Sequence, residues 1–212
     1  MSGAFAIRPA TAADGAACAA IYAPYVERSA VTFEYEAPDA AEMSRRIEST
    51  TAAYPWLVCE RGGAVLGYAY AHRFAQRAAY AWAAELSVYV DGDARGRGLG
   101  RALYAELLAL LRRMNCRVAL ALVSTPNPAS ERLHEAMGFA RLAAMPGVGW
   151  KLGAWRDITY FSLRLAEGAA APAPFIPYPE LEKEGRKSLL FGCRFRCLLA
   201  LAGELLDGGG VH

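Results

Sequence analysis

The chain has 212 residues, of which 55% are hydrophobic and 21% are charged, and its formal net charge is +2. This composition is typical of a folded protein with one sizeable core, and it argues against a disordered chain or two domains of ordinary size. A net charge so close to zero also argues against a nucleic-acid partner.

The first part of the chain predicts one strand and two helices. Residues 5–8 form a short strand candidate, and a helix is predicted over residues 12–28, where Pro24 predicts a kink or a division. Residues 31–35 look extended but fall between two helical stretches, so we expect a loop there. A second helix is predicted over residues 39–49.

The middle of the chain predicts three consecutive antiparallel strands. The turn Gly62-Gly63 joins two apolar runs, which predicts a hairpin of strands 56–60 and 64–71. A third strand, residues 81–90, follows a polar bend at residues 73–77. These strands lead directly into a glycine-rich motif.

That motif is Arg95-Gly96-Arg97-Gly98-Leu99-Gly100, and it separates a strand from a helix. Apolar residues alternate with a period of two before it and recur at helical spacing after it. Glycines allow the backbone to approach a ligand closely, and the free N–H groups of a helix start favour a phosphate or pyrophosphate. The arginines of the motif and Arg101 add positive charge.

Three alternatives exist for such a motif. One is a tight turn that only connects two elements. A dinucleotide-binding turn would need Gly-x-Gly-x-x-Gly and an acidic residue about twenty residues later, and a nucleoside triphosphate loop would need Gly-Lys-Ser or Gly-Lys-Thr. Neither of these two patterns is present.

The chain after the motif predicts the rest of the sheet. An apolar run at residues 118–123 is typical of a buried strand, and a helical crossover makes it parallel to strand 81–90. Asn127-Pro128 begins a short helix. Strands at 139–143 and 158–163 follow, with a connection over residues 147–155. The predicted fold class is α/β, with a mixed, mostly antiparallel twisted sheet and helices on both faces.

A change in composition divides the chain into two parts. Residues 1–166 are predicted to form the folded domain, and residues 167–212 a proline- and alanine-rich linker with a C-terminal extension that is poorly ordered or forms one short helix. Cys193 and Cys197 have the spacing of a metal pair, but no second pair of cysteine or histidine lies nearby, so no metal is expected.

The remaining cysteines and the termini predict a cytoplasmic protein. Cys18, Cys59 and Cys116 lie in apolar runs, as expected for buried thiols in a reducing compartment. The N-terminus lacks the pattern of a secretion signal, and no apolar stretch reaches about 18 residues, so no membrane partner is expected.

The spacing Arg95-x-x-Gly98-x-Gly100 resembles the acyl-coenzyme A pyrophosphate loop of the GCN5-related N-acetyltransferases (GNAT), and the resemblance extends from Ile7 to about Leu165. It implies central strands that splay apart, acetyl-CoA as cosubstrate and no metal. In that family the backbone of the strand before the loop holds the pantetheine arm. The resemblance therefore assigns the cofactor to Val88, Tyr89, Val90, Arg95, Gly96, Arg97, Gly98, Leu99, Gly100, Arg101, Asn127 and Ser130.

Four segments carry a narrower resemblance, at residues 54–58, 80–90, 133–139 and 153–157. They are similar to the phosphinothricin and methionine sulfoximine/sulfone acetyltransferase branch. This branch acetylates the α-amine of a small glutamate-like amino acid, and it implies a homodimer.

Two residues are the candidates for proton transfer. An α-amine is largely protonated in solution, so a base must remove a proton, and Glu85 is placed for this on the strand before the loop. Burial between Trp82 and Leu86 would raise the pKa of its carboxyl, although a half-exposed strand carboxylate is the alternative. His134 matches a family position that commonly holds a tyrosine, which implies an acid to the sulfur, a base beside the amine, or a residue that only packs.

The acceptor site is predicted from one arginine and a set of aromatic residues. Arg77 is the best-placed guanidinium for a substrate carboxylate, with Arg73 second and a solvated surface arginine as the alternative. The branch often carries a basic residue where this chain has Ala75, which weakens the expected affinity for phosphinothricin. The apolar wall is expected from some of Phe33, Tyr35, Phe74, Tyr80, Trp150 and Trp155, the others belonging to the core.

The expected function is transfer of acetyl from acetyl-CoA to the α-amine of a small amino acid analogue, with herbicide resistance as a possible consequence. Acetylation of another amine or of a protein N-terminus is an alternative. A non-catalytic acyl-CoA-binding or regulatory domain is another, and it would keep the glycine loop while dispensing with Glu85, Arg77 and His134.

Overall fold

A computed structural model describes residues 5–168 and 170–189. Its centre is one seven-stranded sheet in the order β1-β2-β3-β4-β5-β7-β6, in which all neighbours are antiparallel except the parallel pair β4 and β5. The strands are β1 (Ala6–Pro9), β2 (Trp56–Arg61), β3 (Ala64–Arg73), β4 (Ala83–Val90), β5 (Val118–Thr125), β6 (Ala140–Lys151) and β7 (Ala154–Arg164).

Within the described residues, five α-helices accompany the sheet, together with short 3-10 turns at Ala12–Asp14, Ala78–Tyr80 and Gly92–Ala94. The helices are α1 (Gly15–Arg28), α2 (Ala40–Thr51), α3 (Leu99–Arg113), α4 (Pro128–Ala136) and α5 (Tyr178–Leu189). In the described ranges, none of these helices combines the length and apolar character that a membrane crossing requires.

The two faces of the sheet carry separate cores. Val58 and Tyr68 pack with helices α1 and α2, whereas their strand neighbours Leu57 and Ala69 pack with α3. Alternation of side chains along a strand produces this division. The predicted fold class, a mostly antiparallel sheet with helices on both faces, is therefore confirmed.

Local signals in the sequence explain several element boundaries. The Asp39 side chain accepts a hydrogen bond from Glu42 N at 2.7 Å and begins α2, and Asn127 does the same for α4 through Ser130 N at 3.2 Å. The φ angles of Gly62 and Gly63 are 58° and 81°, which favours glycine in the β2–β3 turn.

The structure departs from the sequence prediction at two elements. Helix α1 is continuous through Pro24, which contradicts the predicted division, and its buried residues Tyr22 and Val26 pack the parts on either side of Pro24 in the same core. The predicted connection over residues 147–155 is mostly strand, since β6 and β7 pair up to Lys151 and Ala154 around a turn at Leu152 and Gly153. The glycines predict a connection here, whereas hydrogen bonding to β7 extends the segment as a strand.

The segment before α5 lies against the domain core. Ile176 N donates to Met114 O at 3.1 Å and Tyr178 N donates to Ala53 O at 3.0 Å. Phe175 packs on Tyr54, with 5.3 Å between ring centroids. Division of the chain at residue 166 stays a prediction, and Cys193 and Cys197 lie outside the described residues.

Candidate active site

The parallel strands β4 and β5 part in the middle of the sheet. They pair only from Ala83 with Val118 to Glu85 with Leu120, and beyond this point no pairing joins them in the described chain. The resulting cleft is lined by residues of both strands, α3 and α4. Val88, Tyr89, Tyr104, Asn127, Ser130 and His134 are among the residues that line it.

The glycine loop stands next to this cleft. Gly96 and Gly98 have φ angles of 74° and 75°, and Gly98 is the N-cap of the 15-residue helix α3. A Cβ added to Gly100 would lie 3.8 Å from the Val90 side chain and 3.9 Å from that of Val88. The first turn of α3 therefore meets the strand that lines the cleft, and helix starts of this kind leave N–H groups unpaired within the helix.

The charged residues of the loop are exposed, and one of them is anchored. The guanidinium of Arg95 lies 5.0 Å from the centroid of the Tyr25 ring, a cation–π contact. Arg97 and Arg101 are exposed at the same end of α3. Their positive charge is available to a pyrophosphate.

Tyr25 also contacts the last residue of β4. Its hydroxyl donates to Val90 O at 2.5 Å, and Val90 N approaches the same oxygen at 3.3 Å. Of the three β4 residues predicted to bind the cofactor, Val88 and Tyr89 line the cleft, whereas the backbone of Val90 is already hydrogen-bonded to a side chain.

Glu85 lies where β4 and β5 separate. Its side chain is 21% exposed, and burial raises the pKa of its carboxyl above the ordinary value. His72 faces it across the β3–β4 pair, with 3.6 Å between His72 Nε2 and Glu85 Oε1. A positive charge on this imidazole opposes the effect of burial on the pKa.

His134 is buried, and both of its ring nitrogens have partners. Nδ1 lies 2.8 Å from Ser130 O and Nε2 lies 3.1 Å from the Tyr104 hydroxyl. Because a carbonyl only accepts, Nδ1 carries the proton, and Nε2 accepts from Tyr104 in the neutral ring. Burial lowers the pKa of His134, which favours this neutral form.

The bend before β4 gathers three of the predicted acceptor residues. The rings of Phe74 and Tyr80 meet edge to face with centroids 5.8 Å apart, and Arg77 is the N-cap of the short turn between them. Arg77 and Tyr80 are exposed. These residues lie just before the start of β4. They are not among the residues that line the cleft.

The other predicted wall residues come from the α1–α2 loop and the β6–β7 hairpin. Phe33 is half-buried against Gly149, and the Tyr35 hydroxyl donates to Trp150 O. The rings of Trp150 and Trp155 are 5.5 Å apart and both are exposed. Within the described residues, no group of three or more His, Cys, Asp or Glu could hold a metal ion.

The sequence analysis does not identify two residues near this site: Tyr104, which lines the cleft, and His72, which lies beside Glu85. Tyr104 stands in the apolar stripe of α3 beside Leu103 and Leu107, where a hydroxyl was a signal that could have marked it. His72 lies one residue beyond the predicted end of its strand. Extending β3 to Arg73 would have placed His72 opposite Glu85.

A cleft between parting parallel strands with a glycine-rich helix start at its edge is the arrangement that the resemblance to acyl-CoA-dependent N-acetyltransferases implies. Residues 7–160 match the model of the acetyltransferase (GNAT) domain. The chain is 38% identical over 175 residues to phosphinothricin N-acetyltransferase of Streptomyces viridochromogenes, covering 82% of this chain and 95% of that protein. It is also 38% identical to the L-methionine sulfoximine/L-methionine sulfone acetyltransferase of Salmonella typhimurium, covering 79% and 98%.

Similarity to solved structures supports the same family assignment. A GNAT superfamily phosphinothricin acetyltransferase from Sinorhizobium meliloti, in complex with acetyl-CoA, superposes with a TM-score of 0.77 at 36% identity, over 83% of this chain and 96% of that one. The chain belongs to the GNAT acetyltransferase family. It is an acetyltransferase whose cosubstrate is acetyl-CoA, as the sequence predicts.

Proposed function

We propose that this enzyme transfers the acetyl group of acetyl-CoA to the α-amine of a small glutamate-like amino acid analogue, of the phosphinothricin or methionine sulfoximine/sulfone type. The observation that carries the proposal is the place of Glu85. Glu85, whose half-buried carboxyl has a raised pKa, is the last β4 residue that pairs with β5 before the two strands part, on the strand that follows the Arg77 bend. The names of the relatives support the same class of acceptor.

The cofactor would lie along the glycine loop and into the cleft. Its pyrophosphate meets the N–H groups at the start of α3, with the guanidinium groups of Arg95, Arg97 and Arg101 nearby. Val88 and Tyr89 line the path of the pantetheine arm, with Asn127 and Ser130 on the opposite side. Bound acetyl-CoA supplies the thioester whose carbonyl carbon is attacked.

The transfer removes two protons from the acceptor nitrogen and exchanges one bond. Glu85 takes the first proton from the ammonium of the acceptor, directly or through water, and the free amine attacks the carbonyl carbon. A C–N bond forms, the C–S bond breaks, the nitrogen releases its second proton to the solvent, and the thiolate takes a proton from the solvent. His134 holds the Tyr104 hydroxyl in the cleft, and as an acid it would first have to gain a proton that its burial disfavours.

The acceptor would be held by the bend before β4. Arg77 offers a bidentate pair to the substrate carboxylate, and Tyr80 and Phe74 provide apolar contact. Phe33 lies on the α1–α2 loop and supplies part of the opposite wall. Ala75 stands where the branch often has a basic residue, so this region has one positive charge fewer. Amino acids with a neutral sulfone or sulfoximine group should therefore be better acceptors than phosphinothricin, whose phosphinate is anionic.

A thiol-release assay with acetyl-CoA tests the proposal. We expect release with methionine sulfone and methionine sulfoximine, weaker release with phosphinothricin, and none with their N-acetylated forms. Activity on phosphinothricin would make herbicide resistance a consequence. Release only with polyamines or peptide N-termini would replace the proposed acceptor, and no release with any amine would contradict the function.

We also propose a homodimer in the cytoplasm. The edge strand β6 and its partner β7 expose large apolar side chains, and exposed apolar patches are typical of protein interfaces. These side chains are Leu142, Met145, Val148, Trp150, Leu152 and Trp155, between 42% and 66% exposed. The buried free thiols Cys18, Cys59 and Cys116 are typical of a reducing compartment. Light scattering should give twice the mass of one chain, and a monomeric mass would contradict the dimer.

A further inference from the structure

The last residue of strand β6, Lys151, is a buried cation. Lys151 is 2% exposed, and its Nζ donates to Thr32 O at 2.9 Å and to Glu34 O. Both acceptors are neutral backbone carbonyls in the loop between α1 and α2, more than a hundred residues away in the chain. Burying an ammonium is unfavourable unless its donors are satisfied, so this contact fixes the loop at one position.

Two neighbours of Lys151 contact the same loop. A Cβ added to Gly149 would lie 2.4 Å from Phe33 Cε2, so the absence of a side chain there lets the Phe33 ring pack directly on the strand. Trp150 O accepts a hydrogen bond from the Tyr35 hydroxyl. Three consecutive residues of β6 therefore hold residues 32–35.

The other side of the loop is held by the helices. The Glu34 carboxylate accepts from Arg46 at 2.8 and 3.0 Å and from the Tyr22 hydroxyl at 2.9 Å. The Tyr22 hydroxyl also lies 2.6 Å from Thr32 Oγ1. With the helices fixing the Glu34 side chain and Lys151 fixing the backbone, the loop has one defined position between them.

This loop borders the site. Val31 lines the cleft between β4 and β5. Phe33 follows two residues later in the chain and is half-buried. The loop contributes no residue to the glycine motif that receives the pyrophosphate. A shift of the loop would thus change the acceptor side of the cleft and leave the far end of the cofactor site in place.

We propose that Lys151 is a positioning residue for the acceptor: by clamping the carbonyls of Thr32 and Glu34 it fixes the wall formed by Val31 and Phe33. The inference rests on the proposed function, since it assigns this wall to the amino acid acceptor. Lys151 touches no reacting atom. It acts on acceptor binding and orientation through the loop.

The variant Lys151→Met keeps an unbranched side chain and removes the donors. We expect the KM for the acceptor to rise about tenfold to a hundredfold, as misplacement of a substrate-positioning wall by about 1 Å can produce, with the KM for acetyl-CoA within about twofold of wild type. Amide hydrogen exchange of residues 31–36 should accelerate. Lys183→Met removes an exposed lysine from α5 and serves as the matched control, with no change expected.

Gly149→Ala keeps the charge and displaces the Phe33 ring, so it tests the wall even if Lys151→Met folds poorly. The same selective rise in the acceptor KM is expected. Equal effects on both substrates, or a lower Tm with unchanged kinetics and unchanged exchange of the loop, would overturn the inference. A wild-type enzyme inactive on every amino acid would contradict the proposed function itself, and the acceptor role of Lys151 with it.

Discussion

The Glu85 carboxyl has two neighbouring influences that act in opposite directions. Burial favours its neutral form and raises its pKa, whereas a positive charge on His72, 3.6 Å away, favours the carboxylate and lowers it. A general base works only in its ionised form. In the proposed mechanism, the balance between these influences on the pKa of Glu85 therefore sets the lowest pH at which Glu85 can deprotonate an amine.

Replacement of His72 by Asn should move the acid limb of the pH profile to higher pH. Loss of the positive charge leaves burial as the main influence, so the pKa of Glu85 rises and less carboxylate is present at acidic pH. The measurement is kcat/KM against pH, whose acid limb reports the base of the free enzyme. His72→Lys keeps a charge and should return the limb toward wild type, whereas an unmoved limb in His72→Asn would show that the pair is not coupled.

The start of helix α3 has the backbone geometry that the proposed pyrophosphate site requires. Gly98 caps the helix in a left-handed conformation, and Gly100 faces Leu133 of α4 and the valines of β4. A Cβ added to Gly100 would lie 3.4 Å from the Leu133 side chain and 3.8 Å from that of Val90. The proposed anion site therefore depends on a small residue at this position.

Gly100→Trp should raise the Kd for acetyl-CoA by about tenfold or more, which corresponds to about 1.4 kcal/mol. An indole at this position covers the N–H groups that would receive the pyrophosphate. Calorimetric titration with acetyl-CoA gives the Kd. Gly92→Ala is the matched control, because nothing lies within 4 Å of its added Cβ; an unchanged Kd in Gly100→Trp would refute the assignment of the loop.

The segment after β7 contributes to the core of the molecule, although it lies beyond residues 7–160, which match the family model. Tyr178 and Leu181 are 5% and 4% exposed and belong to the same cluster as helix α3. The indole of Trp82, three residues before Glu85, donates to Ala173 O at 2.7 Å. The segment thus packs against the strand that carries the proposed base.

Leu181→Ala should lower the free energy of unfolding by about 2–5 kcal/mol, the usual cost of such a truncation in a packed core. Glu180→Ala, on the exposed side of the same helix, should change it by less than about 0.5 kcal/mol. Urea unfolding followed by circular dichroism measures both. Equal stability of the two variants would mean that α5 does not pack on the domain in solution.

The sequence predicts those features of this molecule that depend on neighbours along the chain. The Gly62-Gly63 turn, the cap at Asn127 and the loop at Gly98 are each specified by a few adjacent residues. The contacts of Tyr104 with His134, His72 with Glu85 and Lys151 with Thr32 join different elements: two helices, two strands, and a strand and a loop. Local patterns alone do not specify how these elements pack together.

In the proposed mechanism, Glu85 deprotonates the amine of an amino acid so that the amine can accept acetyl from acetyl-CoA. The most direct test compares wild type with Glu85→Gln at neutral pH, with methionine sulfone as acceptor, by thiol release and mass spectrometry of the product. We predict one acetyl group on the α-nitrogen and a roughly 10²- to 10⁴-fold lower kcat in the variant, the usual contribution of a general base. Full turnover by Glu85→Gln would contradict the role of Glu85 as the base, and no acetylated product from wild type would contradict the proposed acetylation of an amino acid.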